Sequence, residues 1–279
     1  MTAQHRLDRQ HSHRADDDPA TEVIPRVQES PSAAAPAPEE PSPEPEAPAG
    51  VPHLALLRPA SVVKVAAGIA AVLALAHFAA AVYGLGRPGF QVPAAIRLGN
   101  ELNVSTWFSS VLHLTNAAIL GLIAANSVRR ERWKWVLLSV SCAVVAMDEV
   151  AANHEHVGWI IHTTFGTTGF LTYAWIIPAV VLVLVVAALC LPTLLRRPGA
   201  VVVVVGAAVF LFGAVGLESV GGALFERTGD VQAFAYNVLA GTEETFEMAG
   251  LVIAMAGLLR MAGGSGLRLA GERFVDGAR

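Results

Sequence analysis

The chain has 279 residues, of which 54% are hydrophobic and 15% are charged, and its mean hydropathy is positive. This composition is typical of membrane proteins and argues against an ordinary soluble domain. The charge is uneven, because residues 1–50 hold four arginines against ten acids, a net charge of −6, which leaves +2 for the remainder of a chain whose total is −4.

The N-terminal part is rich in Pro, Ala and Glu and has few large apolar side chains to bury. Such composition predicts disorder, so we expect residues 1–57 to form a disordered cytoplasmic tail. No apolar run follows a basic start, and the first hydrophobic segment is therefore expected to act as an uncleaved anchor.

Six apolar segments long enough to cross a bilayer follow the tail. Helices are expected, because an open strand in lipid would leave backbone groups unpaired. The predicted fold is an all-α polytopic bundle of six transmembrane helices over 58–262, with a short cytoplasmic tail at 263–279. The six segments are 62–85, 104–125, 133–152, 171–194, 200–224 and 234–261.

Basic residues in short loops predict the orientation. Arg129, Arg130, Arg132 and Lys134 follow the second segment, whereas residues 153–172 contain no Lys or Arg. We therefore expect a multi-pass protein of the plasma membrane with both termini in the cytoplasm and no nucleic-acid partner; the sequence does not indicate an oligomeric state.

Polar residues fall at one depth, in the half of the bundle predicted to be extracytoplasmic. Ser105, Ser109, His113 and Asn116 recur at helical spacing in the second segment, and Glu243, Glu244 and Glu247 lie within one turn of each other in the sixth. A charged side chain near the middle of a bilayer costs about 2.5–3.5 kcal/mol, so such residues are usually functional.

Carboxylate and imidazole groups are ordinary ligands of Fe, Mn and Zn. No Lys or Arg lies at this depth, so the acids require shared protons, a bound cation or water. Of these we expect a divalent metal, one of Fe, Mn and Zn, and Glu244 and Glu218 are expected to move protons beside it. The candidate metal ligands are Asp148, Glu149, Glu243, Glu247, His113 and His154.

Structural roles compete with these assignments. His77 is expected to be hydrogen-bonded to a neighbour rather than to bind a ligand. Ser109 could donate to a carbonyl of its own helix, and residues 154–156 could lie in water in an outer loop. The five tryptophans, including Trp135 and Trp175, fall near segment ends and are expected to anchor the interface.

Three blocks resemble a family of uncharacterised bacterial multipass membrane proteins: "ELNVSTWFSS" (101–110), "MDEVAANHEH" (147–156) and "GTEETFEMAG" (241–250). The resemblance implies six helices around a shared acidic centre.

Ser109-x-x-x-His113, followed by Asp148, is similar to the alkaline ceramidase and adiponectin-receptor superfamily. Its members are seven-span hydrolases that hold zinc with three histidines beside a Ser and an Asp. On that resemblance Ser109 joins the candidate catalytic residues. This chain departs from the pattern in having six segments, and in having Glu243-x-x-x-Glu247 where that superfamily has two histidines.

Three functions remain open. The first is a metal-dependent membrane hydrolase or oxidoreductase that acts on a lipid or another apolar molecule reaching it through the bilayer. The second is a proton- or cation-coupled transporter that uses the same acids. The third is a non-catalytic membrane subunit. The apolar cytoplasmic halves of the segments favour a one-sided site over a transport path.

Overall fold

The computed structural model describes residues 59–87, 89–100, 102–231 and 233–264. The predicted N-terminal tail and nearly all of the predicted C-terminal tail lie outside these residues. Within the described ranges the chain forms α-helices joined by turns, with no β-strand. The helices are α1 (Pro59–Gly84), α2 (Val104–Ala125), α3 (Arg129–Ala151), α4 (Asn153–Phe165), α5 (Ile176–Leu194), α6 (Ala200–Leu211), α7 (Glu218–Thr228) and α8 (Phe234–Gly264).

The lengths and compositions of these helices are those of a polytopic membrane protein. Five helical stretches are long and apolar enough to cross a membrane: α1, α2, α5, the continuous stretch Ala200–Thr228, and α8. The pair α3 and α4 passes the same test together but is bent by 78°. The predicted count of six therefore requires that this bent pair forms a single broken span.

The segment after Ala152, for which an outer loop was one alternative, is a helix. Ala152 adopts a left-handed conformation, with φ of 50°, and α4 begins directly after it. The Asp148 carboxylate accepts a hydrogen bond from the His154 backbone N–H at 3.1 Å, so it stabilises the first turn of α4 across the bend. The next membrane helix begins at Ile176, five residues later than predicted.

Helices α2 and α8 form the centre of the bundle. In an apolar stretch of 18 residues within each of them, 61% is buried inside the protein. The corresponding share is 17% in α5 and 22% in α1. Helix α8 packs against α1, α2 and α6, and α2 also packs against α3. Hydroxyl groups join the α2–α3 pair, because Ser110 donates to the Ala146 carbonyl at 2.7 Å and Ser139 donates to the Ala117 carbonyl at 2.8 Å.

Glycines let α6 and α8 approach closely. Gly199, Gly206 and Gly213 recur every seven residues and therefore lie on one helical face. A Cβ atom built on Gly199 would lie 2.6 Å from the Gly257 carbonyl oxygen, and one on Gly206 would lie 2.6 Å from that of Gly250. Close backbone contact of this kind is a main source of helix association in membranes.

We predict that Gly206→Ala lowers the stability of the protein by about 1–3 kcal/mol, because the added methyl group overpacks the α6–α8 contact. Gly68→Ala is the matched control, since a Cβ at Gly68 in α1 meets nothing within 4 Å. Thermal unfolding of both variants in detergent tests this. Equal melting temperatures for the two variants would show that the α6–α8 contact does not depend on Gly206.

Candidate functional site

Five glutamates from three helices form one cluster. Glu247 of α8 is 9% exposed, and the neighbouring groups that act on it electrostatically are Glu149 of α3, Glu218 of α7, and Glu243 and Glu244 of α8. We call these five residues the glutamate cluster. It brings together Glu149, Glu218, Glu243, Glu244 and Glu247, all of which were predicted from sequence.

The close approach of α6 and α8 positions the α8 part of the cluster. A Cβ on Gly213 would lie 2.9 Å from both the Glu243 carbonyl oxygen and Cγ of Glu247. Gly213 belongs to a π-helical segment, Phe212–Leu217, which joins α6 to α7. Such segments widen the helix by one residue per turn and are frequent at functional sites. Here the segment ends directly before Glu218.

His113 lies beside the cluster at a junction of helices. Its imidazole is 3% exposed, and Nε2 lies 3.7 Å from Oε1 of Glu149. The ring of Phe210 in α6 packs edge-on against it, with centroids 5.1 Å apart. The imidazole is therefore held between α2, α3 and α6, facing a carboxylate.

Asp148 and His154 form a separate pair at the bend between α3 and α4. Oδ2 of Asp148 lies 2.8 Å from Nδ1 of His154, in addition to the backbone bond described above. The imidazole also packs edge-on against Trp175, with centroids 5.0 Å apart. Both side chains thus contribute to the local structure of the bend. The next two residues, 155 and 156, are exposed.

Aromatic residues border the other side of the cluster. Nε1 of Trp175 donates to Oε1 of Glu218 at 2.9 Å, and the hydroxyls of Tyr173 and Tyr236 lie 2.9 Å apart. Burial, together with the hydrogen bond shared with Tyr236, raises the pKa of the Tyr173 hydroxyl. These residues hold the chain before α5 against α7 and α8.

Trp175 and the tyrosines were not identified from sequence as part of the site. Trp175 was expected to be an interface anchor, and the structure adds a hydrogen bond from its indole to Glu218. Trp135 is not an interface anchor, because it is 1% exposed and lies in the core. The only sequence signal for Trp175 was its position before the apolar run of α5, which does not indicate a distant carboxylate partner.

The geometry offers pairs of metal ligands rather than a complete set. Among the described residues there is no group of three or more His, Cys, Asp or Glu side chains arranged to hold a metal ion. His113 with Glu149 and His154 with Asp148 are two-residue contacts. In this conformation the predicted ligands do not fit a divalent metal.

His77 has the structural role expected of it. Its Nδ1 accepts from the Leu98 backbone N–H at 3.1 Å, and its Nε2 lies 2.9 Å from the Asn237 carbonyl oxygen. Both ring nitrogens are thus used in joining α1, the α1–α2 loop and α8. Gly241 leaves the space that the ring occupies.

The fold and the site define a polytopic helical membrane protein with an acidic centre. Residues 65–262 match the family described as Domain of unknown function (DUF8692), and the chain belongs to that family. The matched range contains the glutamate cluster and all three blocks quoted above. No curated protein and no solved structure matches the chain.

We predict that His77→Leu costs about 1–3 kcal/mol of stability, because it leaves the buried Leu98 N–H and Asn237 carbonyl without their partner. His156→Leu, at an exposed position of α4, should leave stability nearly unchanged. Thermal unfolding in detergent measures both. A normal melting temperature for His77→Leu would contradict the structural role.

Proposed function

We propose that the protein binds a cation in the glutamate cluster, in the half of the bilayer predicted to be extracytoplasmic. The carrying observation is that Glu247 is almost fully buried, with Glu149, Glu218, Glu243 and Glu244 close enough to act on its charge. A charged carboxylate near the middle of a bilayer costs about 2.5–3.5 kcal/mol. Protonation or a bound cation offsets that cost, and several acids together favour a cation, because one positive charge acts on all of them.

The features around the cluster support a binding site. A π-helical segment and a helix bend both border it, and irregular helices in membrane proteins are found mainly where they line ligand or ion sites. Binding of a divalent metal would require the predicted ligands to move from the pairs described above. An enzyme that used this site would take a lipid or another apolar substrate arriving sideways through the bilayer.

A transport path across the membrane is less well supported than a one-sided site. Beyond the cluster, α8 buries Leu251, Val252, Met255, Leu258 and Met261 in the apolar core. The facing part of α2 buries Leu120 and Ile123. These side chains offer no polar groups to a moving ion, so they provide no path from the cluster through this part of the bundle.

We predict that at least one cation raises the melting temperature of chelator-treated protein in detergent, in a titration with Na⁺, Ca²⁺, Mn²⁺ and Zn²⁺. A cation at 100 times its dissociation constant adds about 2.7 kcal/mol. The double variant Glu243→Gln, Glu247→Gln should lose this increase. Mass spectrometry of metals in the untreated protein shows whether a divalent ion copurifies.

The matched control is Glu131→Gln, because Glu131 lies at the first turn of α3 and contacts Arg197 at 3.4 Å, away from the cluster. It should keep the wild-type response. If no cation stabilises the wild-type protein, or if the double variant responds as the wild type does, the cluster does not bind these cations.

We predict that proteoliposomes containing the purified protein hold an imposed proton gradient as long as empty liposomes do, because the apolar core closes the other half of the bundle. A pH-sensitive dye inside the vesicles measures the decay. A faster decay that Glu244→Gln abolishes would instead favour the transporter.

A further inference from the structure

One face of α2 carries three polar side chains in the interior of the bundle. Ser109, His113 and Asn116 are spaced by four and three residues, so they follow one another on consecutive turns. Their exposed fractions are 0%, 3% and 2%. Asn116 lies twelve residues into α2, about 18 Å along the helix axis at 1.5 Å per residue.

Most polar atoms on this face have no hydrogen-bond partner within the described part of the chain. They are Oγ of Ser109, both ring nitrogens of His113, and Oδ1 of Asn116. A buried polar atom left without a partner costs about 1–3 kcal/mol. Native proteins satisfy nearly all such atoms, with bound water where protein atoms do not reach.

The other polar side chains of α2 do find partners. Ser110 donates to α3, Thr115 donates to the carbonyl of Val111, and Ser105 and Thr106 bond to Asn103 at the start of the helix. Ser109 does not make the bond to its own helix that the sequence allowed. Within α2, the unpartnered buried atoms are therefore confined to one face. Asn116 places that face against α8, because its side-chain amide donates to the Leu251 carbonyl at 3.2 Å.

We propose that bound water molecules occupy the α2–α8 interface along Ser109, His113 and Asn116. The water accepts from and donates to the unpartnered atoms, and it reaches the glutamate cluster where Nε2 of His113 faces Glu149 at 3.7 Å. The column ends at Asn116 and Leu251, because apolar side chains fill the core beyond them.

This column would place water beside the cluster on the α2 side only. A cation or proton leaving the cluster then has hydrogen-bonded water beside it without an open path across the membrane. The proposal goes beyond cation binding, because it rests on the unpartnered atoms of α2 and holds whether or not a cation binds.

Radiolytic hydroxyl labelling of the full-length protein in nanodiscs, read by mass spectrometry, tests the proposal, because hydroxyl radicals form where water is bound. Met248 and Met255 are the matched pair: both lie on the α8 face of Leu251, and they are 0% and 1% exposed. Met248 lies on the side of the cluster and Met255 lies beyond the end of the column. We expect Met248 and His113 to be labelled several-fold faster than Met255.

Equally slow labelling of Met248 and Met255 would overturn the proposal. A second experiment labels the double variant Ser109→Val, Asn116→Leu. This variant replaces the polar atoms by apolar ones, and it should reduce the labelling of Met248 to the level of Met255. Ser110→Ala, on the α3 side of the same helix, should leave the difference unchanged. If the double variant folds and Met248 keeps its fast labelling, the water does not depend on these side chains and the proposal is wrong.

All labelling is done without added cations, so its outcome is independent of the melting-temperature titrations. A protein with a labelled column and no cation response would retain the water site and lose the proposed cation site. The reverse result would retain the cation site alone.

Discussion

The backbone contact between α6 and α8 is the constraint on which the rest of this structure depends. Gly199, Gly206 and Gly213 remove the side chains that would hold the two helices apart, and Gly250 and Gly257 do the same on α8. Because lipid is as apolar as a leucine side chain, association in a membrane depends on such packing rather than on the hydrophobic effect. The same contact places Glu243 and Glu247 against the π-helical segment.

That contact also explains why α8 can carry three glutamates. The helix is central, so other helices bury Glu247 and half-bury Glu243 and Glu244, which reduces their exposure to lipid, where a carboxylate is most costly. The residues that enclose it are chemically varied: a histidine from α2, a glutamate from α3, a glutamate from α7 and aromatic residues near α5. A site assembled from so many elements depends on the whole bundle being folded.

Two kinds of histidine–carboxylate contact occur near the centre, and they have different consequences. His154 and Asp148 satisfy each other and stabilise the bend between α3 and α4. His113 faces Glu149 at a longer distance and has no hydrogen-bond partner in the described residues. The first pair is a local structural element, whereas the second combines burial with unused hydrogen-bonding capacity, which is typical of a position that meets water or a ligand.

The sequence by itself determined the helical class, the bounds of α2, and the common depth of the acids, because apolar length and helical spacing are local properties. The same patterns indicated Glu149, Glu218, Glu243, Glu244 and Glu247 as candidates, and these form one cluster. They could not indicate that Asp148 pairs with His154, since that contact depends on the left-handed conformation of Ala152. The predicted metal set, which combined both groups, is not assembled in this conformation.

Only the tertiary structure decided which residues surround the cluster. The hydrogen bond from Trp175 to Glu218 and the contact between Phe210 and His113 join residues that are far apart in the chain. The sequence showed that Ser109, His113 and Asn116 share a face, but not that this face meets α8 with its polar atoms unpartnered. Helical periodicity fixes the face on which a side chain lies, whereas its partner depends on the neighbouring helix, which is set by long-range packing.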